Sequence, residues 1–253
     1  MDNKKTKRIK MIVAYDGTNY SGWQFQQNAV TIEQKLNEAL SDLLGEEITV
    51  TGASRTDAGV HSLGNVCIFD TDTRIPAEKI AFALNARLPE DIVVQDSCEV
   101  DKDFHPRFSH SRKTYEYRVL NRKFPLPTLR RDTYFYHHPL DVEKMQKAAS
   151  YLEGEHDFKS FCSVHTQAET TVRTIYSCTV GKDGDIIKIR VKGNGFLYNM
   201  VRIIAGTLIE VGAGKREPEE VLTMLEKADR CTAGPTAPAH GLTMICIDYE
   251  PCK

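Results

Sequence analysis

The stretch Arg8-Ile-Lys-Met-Ile-Val-Ala-Tyr15 decides the fold of the first half of the chain, because apolar and polar residues alternate along most of it. Ile9, Met11, Val13 and Tyr15 fall on the same side of an extended chain. A period of two residues is typical of a β-strand with one buried face. We therefore predict a strand here and expect the segments that follow to cover its apolar face.

The segments after this strand predict the element order β-α-β-β-α-β. Thr31 and Gln34 form a capping box at the start of a helix that Gly45 ends. The remaining predicted elements are a strand over 48–52, a strand over 64–69, a helix from Pro76 to about Arg87 and a strand over 91–100. This order is the ferredoxin-like arrangement.

The second half of the chain has elements of the same kinds, with a helix that Asp141 can cap. The other predicted elements are strands over 113–121 and 133–138, a hairpin of 171–180 with 185–192, helices over 196–211 and 218–227, and a last strand over 242–249. We therefore expect a mixed α/β (α+β) protein with two ferredoxin-like (RRM-like) halves, residues 1–105 and 106–253. Their antiparallel sheets are expected to form a continuous sheet with a central active-site cleft.

The composition is typical of a folded globular protein, with 41% hydrophobic and 27% charged residues. No apolar run approaches the roughly 20 residues of a membrane span, and the apolar stretch 11–14 is too short for the core of a signal peptide. We therefore expect a cytoplasmic protein. Its seven cysteines include no CxxC pair and no zinc-like spacing, which indicates free thiols.

The charge is unevenly distributed although the net charge is only −2. Residues 102–131 contain nine Lys/Arg and two acids, and Lys4, Lys5, Lys7, Arg8 and Lys10 form a second basic cluster. A near-neutral chain is a weak indication against nucleic-acid binding, whereas a basic face within it favours such binding. Ordinary solvated surface is the alternative interpretation.

A polar loop lies between two predicted apolar strands, and it reads Gly52-Ala-Ser-Arg-Thr-Asp-Ala-Gly-Val-His61. Its glycines permit tight turns and a close approach of substrate. Arg55 near Asp57 would keep the carboxyl ionised, and a carboxylate with limited solvent access can act as a nucleophile. The alternative is a solvated turn in which Asp57 binds local backbone.

This loop closely resembles the signature of the TruA family of tRNA pseudouridine synthases around its catalytic aspartate. Further segments resemble the family in the same order, from about residue 9 to residue 249. They are Tyr15-Asp-Gly-Thr-Asn-Tyr-Ser-Gly-Trp-Gln24, Asp103-Phe-His-Pro-Arg-Phe-Ser109, Lys113-Thr-Tyr-Glu-Tyr117, Gly154-Glu-His-Asp-Phe158, Asn194-Gly-Phe-Leu-Tyr-Asn-Met-Val-Arg202 and Ala239-His-Gly-Leu242. An ordered set of this extent is far more specific than a single short motif.

The resemblance implies a role for four residues. Asp57 takes the place of the nucleophile, and Arg55 that of an arginine that flips the target base out of the RNA. Tyr115 takes the place of a tyrosine that stacks on the target uracil, and Arg202 that of a basic ion-pair partner of Asp57. Ser54 stands where the family usually has glycine, which restricts the backbone beside Arg55.

The resemblance further implies an isomerase of uridines 38, 39 and 40 in the anticodon stem-loop of tRNA, acting as a homodimer without a cofactor or metal. The residues themselves leave two other hypotheses open. One is a non-catalytic RNA-binding module, because ferredoxin-like sheets often present aromatic side chains to RNA. The other is a metal-dependent phosphodiesterase that uses Asp57 and His61.

Two further motifs are interpreted as structural. His137 and His138 are disfavoured as metal ligands, because adjacent residues of a strand point to opposite faces. Residues 212–216 contain Gly and Lys as a phosphate-binding loop does, but Lys215 is not followed by Ser or Thr. They are interpreted as the end of a helix.

Overall fold

The computed structural model describes residues 6–164 and 168–249, so Lys4, Lys5 and Cys252 lie outside the described residues. The strands are β1 (Lys7–Tyr15), β2 (Thr51–Gly52), β3 (His61–Thr71), β4 (Ile92–Val100), β5 (Ser111–Asn121), β6 (Tyr134–Tyr136), β7 (Gly154–Asp157), β8 (Val172–Asp183), β9 (Ile186–Gly193) and β10 (Leu242–Tyr249). The α-helices are α1 (Ile32–Leu44), α2 (Ala77–Asn85), α3 (Val142–Ser150), α4 (Met200–Gly212) and α5 (Glu220–Lys227). Within these residues, no helix combines the length and the apolar character needed to cross a membrane.

The described chain divides into two compact units, and the first contains residues 6–111 and 244–249. Its sheet has the order β4-β1-β3-β10, and β2 pairs with β3. β1 is central and antiparallel to both β3 and β4. Ile9 and Met11 of β1 pack with Leu36 and Leu40 of α1 and with Leu84 of α2 in one buried cluster. The predicted alternation along β1 therefore does place one face of this strand in the core.

Helix α1 begins and ends as the sequence predicts. The side chain of Thr31 accepts a hydrogen bond from the backbone N–H of Gln34 at 3.3 Å, and Gly45 adopts a left-handed conformation with φ +67°. The Gln34 side chain donates from its Nε2 to Glu38 at 2.8 Å. The structure thus shows one of the two hydrogen bonds of the predicted capping box, from the N–H of Gln34 to Thr31.

The second unit contains residues 112–164 and 168–243. Its sheet has the antiparallel order β5-β9-β8-β7, and β6 pairs in parallel with β5. α3 packs against β8 and against α4, which is buried along most of its length. Asp141 caps α3 by accepting from the N–H of Lys144 at 3.0 Å, as predicted. The predicted hairpin of β8 and β9 is also present, with Gly184 at φ +56° in its turn.

Several predicted boundaries are wrong. The helix predicted over 196–211 begins only at Met200, because Asn199 is left-handed with φ +61° and cannot continue a helix. The strands predicted over 48–52 and 133–138 are shorter, and residues 154–157, for which no element is predicted, form β7. Pro218 lies before α5, not in it.

The mixed α/β class with mostly antiparallel strands is confirmed. The ferredoxin-like character of both halves, their division at residue 105 and the continuous sheet stay predictions.

Candidate active site

The loop that carries Asp57 connects β2 to β3, and the exposure of its side chains alternates. Ser54 and Thr56 are each 7% exposed, whereas Arg55 is exposed and Asp57 is half-buried. Arg55 and Asp57 are therefore more accessible to a ligand than Ser54 and Thr56. The sequence identified both residues as candidates. The structure adds that both are more exposed than Ser54 and Thr56.

Two buried side chains of the sheet hold the inner side of this loop. Asn65 of β3 donates from Nδ2 to the carbonyl oxygen of Ser54 at 3.0 Å and to the hydroxyl of Tyr15 at 3.4 Å. The Tyr15 hydroxyl lies 2.8 Å from Oγ1 of Thr56. Burial raises the pKa of Tyr15 to about 12, although the hydrogen bonds to Thr56 and Asn65 lower it in part. The phenol therefore stays neutral and serves as a fixed brace.

The segment after β1 supports the loop from a second direction. The backbone N–H of Trp23 donates to the carbonyl of Thr56 at 3.0 Å, and that of Gly59 donates to the carbonyl of Tyr20 at 3.2 Å. Gly22 has φ +90°, and a Cβ there would lie 2.5 Å from the Thr56 oxygen. Glycine is therefore required at residue 22 by both its conformation and the close approach of the loop.

Asp57 itself begins a tight turn. Its carbonyl accepts from the N–H of Val60 at 3.1 Å, and Gly59 adopts φ +76° at the third position. A positive φ at this position is the signature of a type II turn, which selects glycine. The backbone on both sides of Asp57 is thus fixed, and its carboxylate is held on a short and rigid support.

Arg107 joins the base of this loop to the segment after β4. Its Nε donates to the carbonyl of Gly52 at 2.7 Å. Burial lowers the pKa of Arg107, and the positive charge of Arg55 lowers it further, so the two guanidinium groups lie within electrostatic reach. The sequence analysis placed Arg107 in a family-like segment without giving it a role.

His61 lies at the end of the loop and is buried. Its Nδ1 is 3.1 Å from the backbone N–H of Gly17 and 3.1 Å from a carboxylate oxygen of Asp16. These contacts hold the short 3₁₀ turn Gly17–Asn19. Over residues 6–164 and 168–249, no three His, Cys, Asp or Glu side chains come together as metal ligands would.

In the second unit, Tyr115 lies on β5 and is almost fully buried. Its ring packs edge-to-face on Phe196, with centroids 5.2 Å apart and planes at 81°. Tyr117, on the same side of the strand, donates its hydroxyl to the carbonyl of Pro238 at 2.9 Å. Burial raises the pKa of Tyr117, so this phenol also stays neutral. Tyr117 is therefore a packing residue.

Arg202 lies in the first turn of α4 and is half-buried. Its Nε donates to the carbonyl of Ala237 at 2.8 Å, and its Nη1 donates to the side-chain oxygen of Asn199 at 2.8 Å. Asn199 in turn donates to the hydroxyl of Ser163 at 2.8 Å. The left-handed conformation of Asn199 thus places an acceptor beside the guanidinium. These two neutral acceptors orient the side chain, and sequence reasoning missed both.

The structure therefore brings Arg55 and Asp57 together on one loop of the first unit and places Tyr115 and Arg202 in the second unit. The ion pair of Asp57 with Arg202 stays a prediction. The bracing residues Asn65, Tyr15 and Arg107 were not identified from the sequence. For Asn65 a signal existed, because it is the one amide within the apolar run 64–69.

The reasoning about His137 and His138 was wrong. β6 ends at Tyr136, so both histidines lie beyond the strand, and their rings lie side by side with centroids 3.8 Å apart. The two histidines are therefore not held on opposite faces of a strand. The interpretation of residues 212–216 is confirmed, because α4 ends at Gly212 and Arg216 pairs with Glu210 at 2.6 Å.

The comparison with known families assigns the chain to a class of RNA-modifying isomerases. The family model of tRNA pseudouridine synthases matches residues 11–109 and 148–250. The chain therefore belongs to the tRNA pseudouridine synthase family.

Curated relatives in this family match nearly the whole chain. It is 50% identical over 243 residues to the tRNA pseudouridine synthase A of Thermoanaerobacter sp. (strain X514), covering 96% of this chain and 100% of the relative. It is 51% identical over 245 residues to the protein of the same name from Brevibacillus brevis, with the same coverage. One solved structure, an H/ACA RNP bound to a substrate RNA containing 2'-deoxyuridine, aligns with 93% of this chain and 45% of its own, at 11% identity. The TM-score of this alignment is 0.35.

Proposed function

We propose that this protein converts uridine to pseudouridine at positions 38, 39 and 40 of the tRNA anticodon stem-loop, with Asp57 as the nucleophile. The observation that carries the proposal is the braced loop of the first unit, in which Arg55 and Asp57 are presented together while Ser54 and Thr56 are buried. Membership of the tRNA pseudouridine synthase family supports the reaction class.

The reaction exchanges one carbon–nitrogen bond for one carbon–carbon bond. The Asp57 carboxylate attacks either uracil C6 or ribose C1′, and the bond between N1 and C1′ breaks. The uracil rotates, C5 bonds to C1′, the proton on C5 is lost, N1 gains a proton and the carboxylate is released. No electrons are transferred to another molecule, so the chemistry requires no redox cofactor.

Arg55 is proposed to fill the space that the target base leaves in the RNA. Flipping a base out of a stack costs a few kcal/mol, and a planar cation can stack in the gap and contact phosphate. Its exposure, two residues before Asp57 on the same loop, supports this role. Tyr115 is proposed to stack on the target uracil, and Arg202 to keep Asp57 ionised and oriented.

The decisive test is tritium release from tRNA that carries C5-tritiated uridine. Wild type should release tritium with or without a chelator, and Asp57→Asn should bind the same tRNA without release. Asp42→Asn is a matched control, because Asp42 is an exposed acid that pairs with Arg87 at 3.0 Å on another surface. Transcripts with a single uridine at 38, 39 or 40 assign the positions.

The same assay separates the alternatives. Binding without release by wild type would favour a non-catalytic RNA-binding module, and RNA cleavage that a chelator abolishes, without tritium release, would favour the metal-dependent phosphodiesterase. Arg55→Ala should retain tRNA binding and lose most turnover. An equal loss of both would refute its flipping role.

The homodimer and the cytoplasmic location are also parts of this proposal, and both rest on the resemblance to the family and on the sequence. Light scattering of the purified protein measures the first. Fractionation of the cells that produce it measures the second.

A further inference from the structure

The segment after β4 holds an aromatic side chain in an unusual position. Phe108 is 82% exposed, more than any other large hydrophobic side chain in the part of the chain that the structure describes. One face of its ring stacks on His105, with centroids 4.3 Å apart and planes at 26°. The other face of the ring is thus available to stack on a planar ligand group.

The exposure of Phe108 does not come from a loosely held loop. The backbone N–H of Phe108 donates to the carbonyl of His105 at 3.2 Å, and Nδ1 of His105 accepts from the N–H of Arg107 at 3.1 Å. Tyr249 of β10 donates its hydroxyl to the carbonyl of Pro106 at 2.8 Å. The turn is thus tied both to itself and to the sheet of the first unit.

The same turn is tied to the loop that carries Asp57. Arg107, adjacent to Phe108, donates to the carbonyl of Gly52 and lies within electrostatic reach of Arg55. The turn that carries the exposed ring is therefore joined through Arg107 to the base of the candidate active site, where Arg107 and Arg55 supply two positive charges. Proteins that bind single-stranded RNA combine these same elements, aromatic faces for the bases and cations for the phosphates.

We propose that the ring pair of Phe108 and His105 is a stacking platform for an unpaired base of the RNA substrate, next to the uridine presented to Asp57. This inference rests on the proposed function and adds a binding subsite to it. The charge of Arg107 and Arg55 complements phosphate, which favours RNA as the occupant over an apolar protein surface. The base would continue the stack on the outer face of Phe108.

The test compares Phe108→Ala, Phe108→Leu and Phe108→Trp in the full-length protein. Leucine keeps an apolar side chain without a π-face, and tryptophan keeps the π-face. Phe82→Ala is the matched control, because Phe82 is 75% exposed on α2 and has Lys79 over its ring at 5.5 Å. All four substitutions are at exposed side chains, so the variants should fold.

The probe is a labelled anticodon stem-loop RNA, with 2-aminopurine replacing one loop purine at a time. Phe108→Ala and Phe108→Leu should raise the Kd about 10-fold or more, as the loss of one base–aromatic stack does. They should also abolish the quenching of 2-aminopurine at one loop position. Phe108→Trp and Phe82→Ala should bind as wild type does.

An unchanged Kd in Phe108→Ala or in Phe108→Leu would overturn the stacking platform. A changed molar mass of the Phe108 variants in light scattering would also overturn it, because it would assign the ring to contact with a second copy of the chain. Failure of the proposed function is separately visible. In that case wild type would release no tritium, whereas the Phe108 variants would still weaken RNA binding.

Discussion

Replacing Asn65 with alanine tests whether the buried brace under the Asp57 loop sets the rate of the reaction. Asn65 is fully buried, and its side chain donates to the carbonyl of Ser54 at 3.0 Å and accepts from the N–H of Val66 at 3.0 Å. Alanine would leave two backbone groups without these partners. Each such loss costs about 1–3 kcal/mol, so we expect the free energy of unfolding to fall by about 2–6 kcal/mol. The Tyr15 hydroxyl keeps its contact with Thr56.

The loss of the Ser54 contact should also loosen the loop, and a displacement of about 1 Å at a reacting group can cost on the order of 100-fold in rate. We expect kcat for tritium release to fall about 10- to 100-fold at temperatures where the variant is folded, as judged by urea unfolding and circular dichroism.

Asn85→Ala is the matched control. Asn85 also makes two side-chain hydrogen bonds to backbone, to the carbonyl and the N–H of Val94 at 2.9 and 2.8 Å, but it joins α2 to β4 and is exposed. It should lower the free energy of unfolding and leave kcat near the wild-type value. Equal kcat values for Asn65→Ala and Asn85→Ala would refute the positioning role of Asn65.

Three further predictions concern the packing that holds the site. Gly52→Ala should lower stability by about 1–3 kcal/mol in urea unfolding, because its Cβ would lie 2.3 Å from Nε1 of the buried Trp23; Gly181→Ala, where a Cβ meets nothing within 4 Å, should have little effect. The pKa of Tyr15 is raised to about 12 from an ordinary value of 10, so the folded state holds this proton to higher pH than the unfolded state does. The resulting contribution to the free energy of unfolding is complete below pH 10. It is lost as the pH rises to about 12, by up to about 1.4 kcal/mol per pH unit. Tyr15→Phe should therefore show a shallower alkaline loss of stability than wild type, and an identical slope would contradict this origin. Tyr117→Phe should lower the thermal midpoint by the loss of one hydrogen bond to Pro238, about 1 kcal/mol, and an unchanged midpoint would show that this bond contributes nothing net.

The sequence by itself determined most secondary-structure elements and the loop that carries Asp57. The alternation in Arg8–Tyr15, the caps Thr31 and Asp141 and the glycine turns depend on neighbours within a few residues, so a linear pattern records them. The segment 52–61 identified Asp57 and Arg55 through its likeness to the TruA family. Its polar residues between two apolar strands also indicated a loop that presents side chains.

Tertiary structure decided which of these side chains are buried and what holds them. The contact of Tyr15 with Thr56 joins residues 41 positions apart, and that of Arg107 with Gly52 joins residues 55 apart. Such contacts depend on strand register, which a bulge between Val13 and Tyr15 shifts, and a shift of one residue turns side chains to the other face. The sequence records neither the bulge nor the left-handed Asn199 that shortens α4, because both are set by packing between distant segments.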